Sequence, residues 1–207
     1  PPATSSAASD VYKRQLPGRE RVYRDWAWTP KNPGGQGKVD LRRAIYRSSN
    51  IYFYDVASRM DIGRLASFTE QFGYGKKLIL DFPTVVTGLV PNEEWKLKAR
   101  GEKWYQGDTV NLGIGQGDLL VTPVQVAYLA ATIANRGKLV NLRMVKSAPK
   151  PDLDDAREDS DFRSKQVPGL TPLDWERMTD AMEDVVHLGG QGYGNNGTAW
   201  AYIGQNI

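Results

Sequence analysis

The sequence predicts a helix-rich domain of the α/β (α+β) class. Three observations predict it. Thr122-Pro123 and Thr171-Pro172 are two well-marked helix starts, each a capping Thr followed by Pro at the first helical position. Apolar residues recur at helical spacing after Asp40, Asn50 and Ile62. Candidate strands are few and short, at Leu78 to Leu80, Thr84 to Thr87 and Lys138 to Val140.

Small and polar residues dominate Ala3 to Asp10. They carry neither the apolar core of a signal peptide nor the Arg-rich pattern of a transit peptide. Pro1 to about Arg14 is read as a tail or scar, and the globular pattern starts near Leu16. Arg21 to Lys38 is aromatic and then rich in Pro and Gly, and Pro33 to Gly37 reads as a loop. Asp40 caps a helix from Leu41 to about Arg47. A second helix follows Asn50, with Tyr52, Val56 and Met60 at spacing four. A third runs from Ile62 to about Gln71, with Leu65, Phe68 and Phe72 inward and Gly73 at its C′ position. Glu93 to Asp108 is charged and aromatic, and Val110 to Gly117 is read as irregular. After Thr122 the stripe is Val126, Leu129, Ala130 and Ile133, and Asn135 to Gly137 ends that helix. Lys150 to Lys165 is a polar loop dense in Asp. After Thr171, one face carries Trp175, Met178, Met182 and Val185. Gly189 to Gly197 is a loop.

Composition excludes several functions. The 207 residues carry 27 Lys plus Arg against 24 Asp plus Glu, a net charge of +3 too small and dispersed to argue for nucleic acid. No apolar run has the length of a membrane span. Cysteine is absent, so disulfides and thiolate metal sites are ruled out. His187 is the only histidine, which removes two-histidine chemistry. The 6 Trp and 10 Tyr supply aromatic surface for packing or glycan contact.

Each motif has a functional and a plain reading. Ser48-Ser49-Asn50 sits between two helices, where a junction can hold a hydroxyl and an amide towards a cleft. Helix-end capping explains the same tripeptide. Gly113-Ile-Gly-Gln-Gly117 has its third glycine one position early for a dinucleotide loop, and a tight turn accounts for it. Ser147 to Lys150 fits S-x-x-K, but Pro149 interrupts the helical turn that chemistry needs. Asn196-Gly-Thr198 is a K-[ST]-G without its lysine, more simply a turn. His187 reads as a helix-end cation or polar cap. The carboxylates from Asp152 to Asp161 read as a solvated face.

Several blocks taken together carry more. LPGRERVYRDW (Leu16 to Trp26), DLRRAIYRSSNIYFYDVASRMDI (Asp40 to Ile62), FGYG (Phe72 to Gly75) and PNEEWKLKARGEKWYQGDT (Pro91 to Thr109) occur in order. GIGQGDLLVTPVQVA (Gly113 to Ala127) and NNGTAWAY (Asn195 to Tyr202) follow. The series resembles the transpeptidase domain of the elongation-specific class B penicillin-binding proteins. The resemblance implies the penicillin-binding protein transpeptidase and serine β-lactamase-like fold, a mixed sheet with helices on both faces. Of the family's three motifs, S-x-x-K, S-x-[ND] and K-[ST]-G, only the second matches in place, as Ser48 and Asn50. The chain is therefore expected to be an internal fragment: 1–14 a non-homologous tail or scar, 15–207 a partial transpeptidase domain lacking most of the central sheet. Its exposed apolar stripes predict marginal stability or aggregation in isolation.

The resemblance also implies a reaction: peptidoglycan D,D-transpeptidation through an acyl-serine intermediate. Ser48 would relay a proton and Asn50 would hold the substrate's amide backbone. The nucleophile and its lysine are not in this chain, so the fragment alone is expected to be inactive. No cofactor or metal is implied. Expected partners are stem peptides ending in D-Ala-D-Ala, β-lactams, and a glycan polymerase with other membrane proteins of the elongation complex. The expected location is the periplasmic face of the bacterial inner membrane. The alternatives kept open are a non-catalytic binding or scaffold homologue, and a serine β-lactamase or D,D-carboxypeptidase of the same fold. A glycan-binding module is the weakest, and packed Trp26, Trp28 and Trp104 would count against it.

Overall fold

The structure is a computed structural model that describes residues 11–16, 19–78, 85–140, 142, 165–190 and 195–204. Its elements are β1 (Val11–Leu16), β2 (Arg19–Arg24), α1 (Leu41–Tyr46), α2 (Asn50–Ser58), α3 (Ile62–Gln71), α4 (Glu93–Arg100), α5 (Gln106–Leu112), α6 (Pro123–Ala134) and α7 (Pro172–His187). A short π-helical turn, Trp200–Gly204, follows. Helix dominates the described residues, and the one sheet among them is the antiparallel hairpin β1-β2. Its register runs from Val11 opposite Arg24 to Leu16 opposite Arg19. Among the described residues, regular structure thus starts with Val11, ahead of the Leu16 start read from the sequence. Charged residues interrupt apolar alternation in Arg19–Arg24, so the period-two signal of a strand is missing there. Lys138 to Val140 is not a strand: Lys138 forms an isolated bridge with Gln166. Ile79, Leu80 and Thr84, Ser147 to Lys150 and Asp152 to Asp161 lie outside the described residues.

The chain divides into two compact units. The first comprises residues up to Met60, Tyr105–Gln116 and those from Arg177 on. Its core is Val39, Ala44, Ile51 and Tyr52, flanked by Tyr23, Phe53 and Tyr54. Asp40 caps α1 as expected, its side chain accepting from the Arg43 N–H. In α2 the buried residues are Ile51, Tyr52, Asp55 and Ala57, whereas Val56 faces out. The spacing-four stripe is therefore only partly right, with Tyr52 buried and Met60 half-buried but Val56 outside, for two reasons. Asp55 turns inward and is paired by Arg59 at 2.6 Å. Ala57 is also small enough to admit α5: a Cβ on Gly113 would lie 2.3 Å from the Ala57 Cβ. Gln106 then donates from Nε2 to the Ser58 carbonyl at 2.7 Å, satisfying an end group of α2.

The second unit comprises Asp61–Trp104 and Gly117–Glu176. Asp61 caps α3 through the Arg64 N–H, and Gly73 follows with φ 83°, the left-handed C′ residue expected there. The inner residues of α3 are Ile62 and Ala66, with Phe72 at its end. Phe68 is exposed, though its ring meets Phe72 edge-on at 5.3 Å. Phe72 packs on Trp175 in turn. Two helices are additions to the sequence reading. In α4, Asn92 caps the Trp95 N–H, Glu93 and Glu94 open the helix, and Lys98 and Arg100 close it before left-handed Gly101. In α5, of the first unit, Asp108 accepts from the Tyr105 N–H in a capping box.

Thr122 starts α6 in a full capping box with Gln125. The expected stripe is only partly right. Ile133 is buried and Leu129 half-buried, but Val126 and Ala130 are exposed. Gln125, Tyr128 and Thr132 take their place inside. The physical reason is Gln125, 1% exposed. Its amide donates to the carbonyls of Gly73, Lys76 and Thr87, tying two loop segments to the helix. Polar atoms with that many partners bury well, and a hydrophobicity pattern does not see them. Gly137 ends α6 beneath Trp175, where a Cβ would meet the indole at 2.4 Å. In α7, Trp175 and Ala181 are buried; of the rest of the expected face, Met178 and Val185 are half-buried and Met182 is exposed. His187 closes α7, exposed at its end.

Candidate active site around Ser48 and Asn50

Ser48 ends α1 in an uncommon way. Its φ is 51°, the left-handed region that L-residues avoid. The Ser48 N–H bonds the Ile45 carbonyl at 3.1 Å and the Ser49 N–H bonds the Ala44 carbonyl at 2.8 Å. That pair is a Schellman motif, with Ser48 where glycine is usual. The cap is made by backbone N–H groups and sets the direction in which the Ser48 side chain leaves the turn. The side chain of Ser48 is left exposed, its Oγ 3.2 Å from Thr198 Oγ1.

The two following residues face different surroundings. Ser49 is buried and gives its hydroxyl to Asp25 Oδ2 at 3.0 Å instead of capping α2. Asn50, the first residue of α2, is half-buried, and its side chain has no hydrogen-bond partner among the described residues. Its amide carries both a donor and an acceptor.

Asp25 anchors the junction from just beyond β2. It is 4% exposed and also accepts from the Trp26 N–H at 2.7 Å and Gln36 Nε2 at 3.2 Å. Trp26 Nε1 donates to the carbonyls of Arg47 and Ser48, both at 3.2 Å. The Trp26 ring is 54% exposed, contrary to the packing expected of it, and the Arg47 guanidinium lies over it at 5.1 Å. Trp28 and Trp104 are half-buried. From the other side, Arg47 Nη1 donates to the Asn196 carbonyl at 2.7 Å, and the Thr198 N–H donates to the Tyr46 carbonyl at 3.0 Å. Arg42 pairs with Asp184 at 2.5 Å, and that hydrogen bond holds its guanidinium pKa above the ordinary value.

Sequence reasoning found Ser48 and Asn50 but not Asp25, Gln36 or Thr198. Nothing local marks Asp25 or Gln36, and Thr198 stands in the turn read as a K-[ST]-G without its lysine, 150 positions from Ser48. The Gly113 to Gly117 turn is structural: it ends α5, and Gly115 and Gly117 take positive φ.

Residues 10–204 match the model of the penicillin binding protein transpeptidase domain. The chain belongs to that family. The peptidoglycan D,D-transpeptidase MrdA of Acinetobacter baumannii is 35% identical over 89% of this chain and 26% of that protein. The MrdA of Escherichia coli is 34% identical over 91% of this chain and 28% of its own length. The chain thus spans about a quarter of the curated relatives it matches. Among solved structures, Pseudomonas aeruginosa PBP2 in complex with WCK 5153 matches with a TM-score of 0.74 at 36% identity, covering 95% of this chain and 39% of that one. The complex between PBP2 and MreC from Helicobacter pylori matches at 0.66 and 27% identity, covering 91% and 31%. Family membership fixes the fold as that of the penicillin-binding transpeptidases, of which the described residues form a helix-rich part with little sheet.

Proposed function

We propose that this chain is part of a peptidoglycan D,D-transpeptidase of cell-wall elongation, and that Ser48 and Asn50 form the S-x-N element of its active site. One observation carries the reading: the Ser48 hydroxyl is exposed from a rigid, strained turn, next to an amide with no partner among the described residues. A relay hydroxyl must accept and donate in quick succession, so it has to be accessible and fixed.

On this reading the attacking serine, its lysine and the K-[ST]-G strand come from outside this chain, whose residues from 15 to 207 form a partial transpeptidase domain, extended back by β1. The serine attacks the penultimate D-Ala carbonyl of a stem peptide and D-Ala leaves with a proton relayed through Ser48. An amine of a neighbouring stem then takes the acyl group. Asn50 hydrogen-bonds the peptide backbone of the donor stem. β-Lactams enter as acylating mimics of that stem. No helix of the described residues is long and apolar enough to cross a membrane. The periplasmic setting at the inner membrane, and partners such as a glycan polymerase, rest on the family. One matched structure is described as a complex between PBP2 and MreC and another as a peptidoglycan synthase complex.

The test uses the complete gene product with glycan strands bearing pentapeptide stems. The reading requires D-Ala release together with cross-linked dimers, both abolished by a β-lactam. D-Ala release without cross-links supports a carboxypeptidase instead, and neither product supports a non-catalytic homologue.

A further inference from the structure

The reaction above uses Ser48 as a relay, and an exposed serine hydroxyl by itself turns freely among three rotamers. The first unit holds something that stops it. The segment Asn196 to Ala199 is fixed at each residue: Asn196 through its carbonyl to Arg47 Nη1, and Gly197 N–H to the Leu188 carbonyl at 2.8 Å. The Thr198 N–H bonds Tyr46 at 3.0 Å and the Ala199 N–H bonds Val185 at 2.9 Å. Gly197 lies so close to the end of α7 that a Cβ would sit 2.0 Å from the Asp184 carbonyl oxygen. Thr198 is therefore held by backbone on both sides, and its β-branched side chain is stiff about χ1. Its Oγ1 ends 3.2 Å from Ser48 Oγ, and either oxygen can donate.

We propose that Thr198 is the positioning residue for Ser48, holding its hydroxyl in the relay orientation through the Oγ1···Oγ hydrogen bond. The inference rests on the S-x-N reading of Ser48 and adds a residue outside the family's three motifs. The chemistry suits a relay. When Ser48 takes a proton from the lysine side, it passes its own to the leaving amine while Thr198 turns its hydrogen to follow. No bond to Thr198 forms or breaks, and no proton is consumed by it.

The experiment measures the β-lactam acylation rate of the complete protein for Thr198→Val, Thr198→Ser, Ser48→Ala and the double variant Ser48→Ala/Thr198→Val. Thr198→Val keeps the shape and removes the hydroxyl. Its acylation should slow by about tenfold, the worth in rate of one neutral hydrogen bond. Thr198→Ser should restore most of the rate. In the Ser48→Ala background, Thr198→Val should cause no further loss, because a residue acting through Ser48 has nothing left to act on. Melting temperatures separate this from unfolding, since a loss of fold would appear in the double variant too. A wild-type rate for Thr198→Val, or a tenfold loss that persists without the Ser48 hydroxyl, overturns the proposal. If Ser48→Ala itself acylates normally, the S-x-N reading has failed rather than the link to Thr198.

Discussion

At the scale of single residues, the site is built on one disfavoured backbone conformation. A serine in the left-handed region costs about 1 kcal/mol relative to glycine. Ser48 keeps that position although glycine would end α1 more cheaply, which is the pattern expected where a side chain is needed. Ser48→Gly should therefore raise the stability of the protein by up to about 1 kcal/mol while removing β-lactam acylation by the complete protein. Thermal melts and acylation rates on the same preparations check both halves. A variant that is both less stable and fully active would contradict the strain and the role together. Ser49 and Asp25 behave differently. Their hydroxyl–carboxylate contact is buried, and its work is to keep the α1-α2 junction in place beneath the exposed hydroxyl.

At the scale of elements, close packing explains what the motifs do. Gly113 brings α5 against α2 at Ala57. Gly113→Ala should destabilise by about 2 kcal/mol through overpacking, and Ala57→Gly should recover part of that loss in the double variant. Denaturant midpoints of the two single variants and the double test this, and strict additivity would refute the contact. Gln125 is the hub of the other unit. Gln125→Leu leaves the Lys76 and Thr87 carbonyls without this donor and the Thr122 N–H without its acceptor, and should cost about 2–3 kcal/mol, read from the same measurement. These elements also show where the sequence was legible. Asp40, Asp61, Thr122 and Thr171 announce their helices because caps act within one turn. Asn92, Glu93, Glu94 and Gly101 announce α4 equally well, by cap, charge order and a left-handed stop, within a stretch whose charged and aromatic residues give no clear apolar stripe. The buried faces of α2 and α6 were only partly legible, through Tyr52 and Ile133. Which face goes inside was decided by Gly113 and by Gln125's partners, all distant in sequence. Ser48 and Asn50 were readable because a family resemblance fixed their register, and Thr198 was not because its partner is reached only through the fold.

At the scale of the molecule, buried phenols set an alkaline limit. Burial pushes the pKa of Tyr54, Tyr74 and Tyr128 above the ordinary 10.0, and that of Tyr52 likewise, with Asp40 and Asp55 adding to it. The folded protein holds these protons more tightly than the unfolded chain does. Their contribution to stability is therefore intact below about pH 10 and is lost as pH rises through the folded values. Melting temperature should fall steeply above that pH, and tyrosinate absorbance in the folded protein should lag behind that of the unfolded chain. Coincident titration curves would contradict the burial. The central claim, that the Ser48 turn belongs to a transpeptidase active site, has a more direct test. Acylation of the complete protein by a fluorescent penicillin is measured for the wild type, Ser48→Ala and Asn50→Ala, with melting temperature as the control for folding. The account predicts that removing the relay hydroxyl slows acylation by about a hundredfold or more, that losing the amide also slows it, and that both variants stay folded. Folded variants that acylate at the wild-type rate would contradict it.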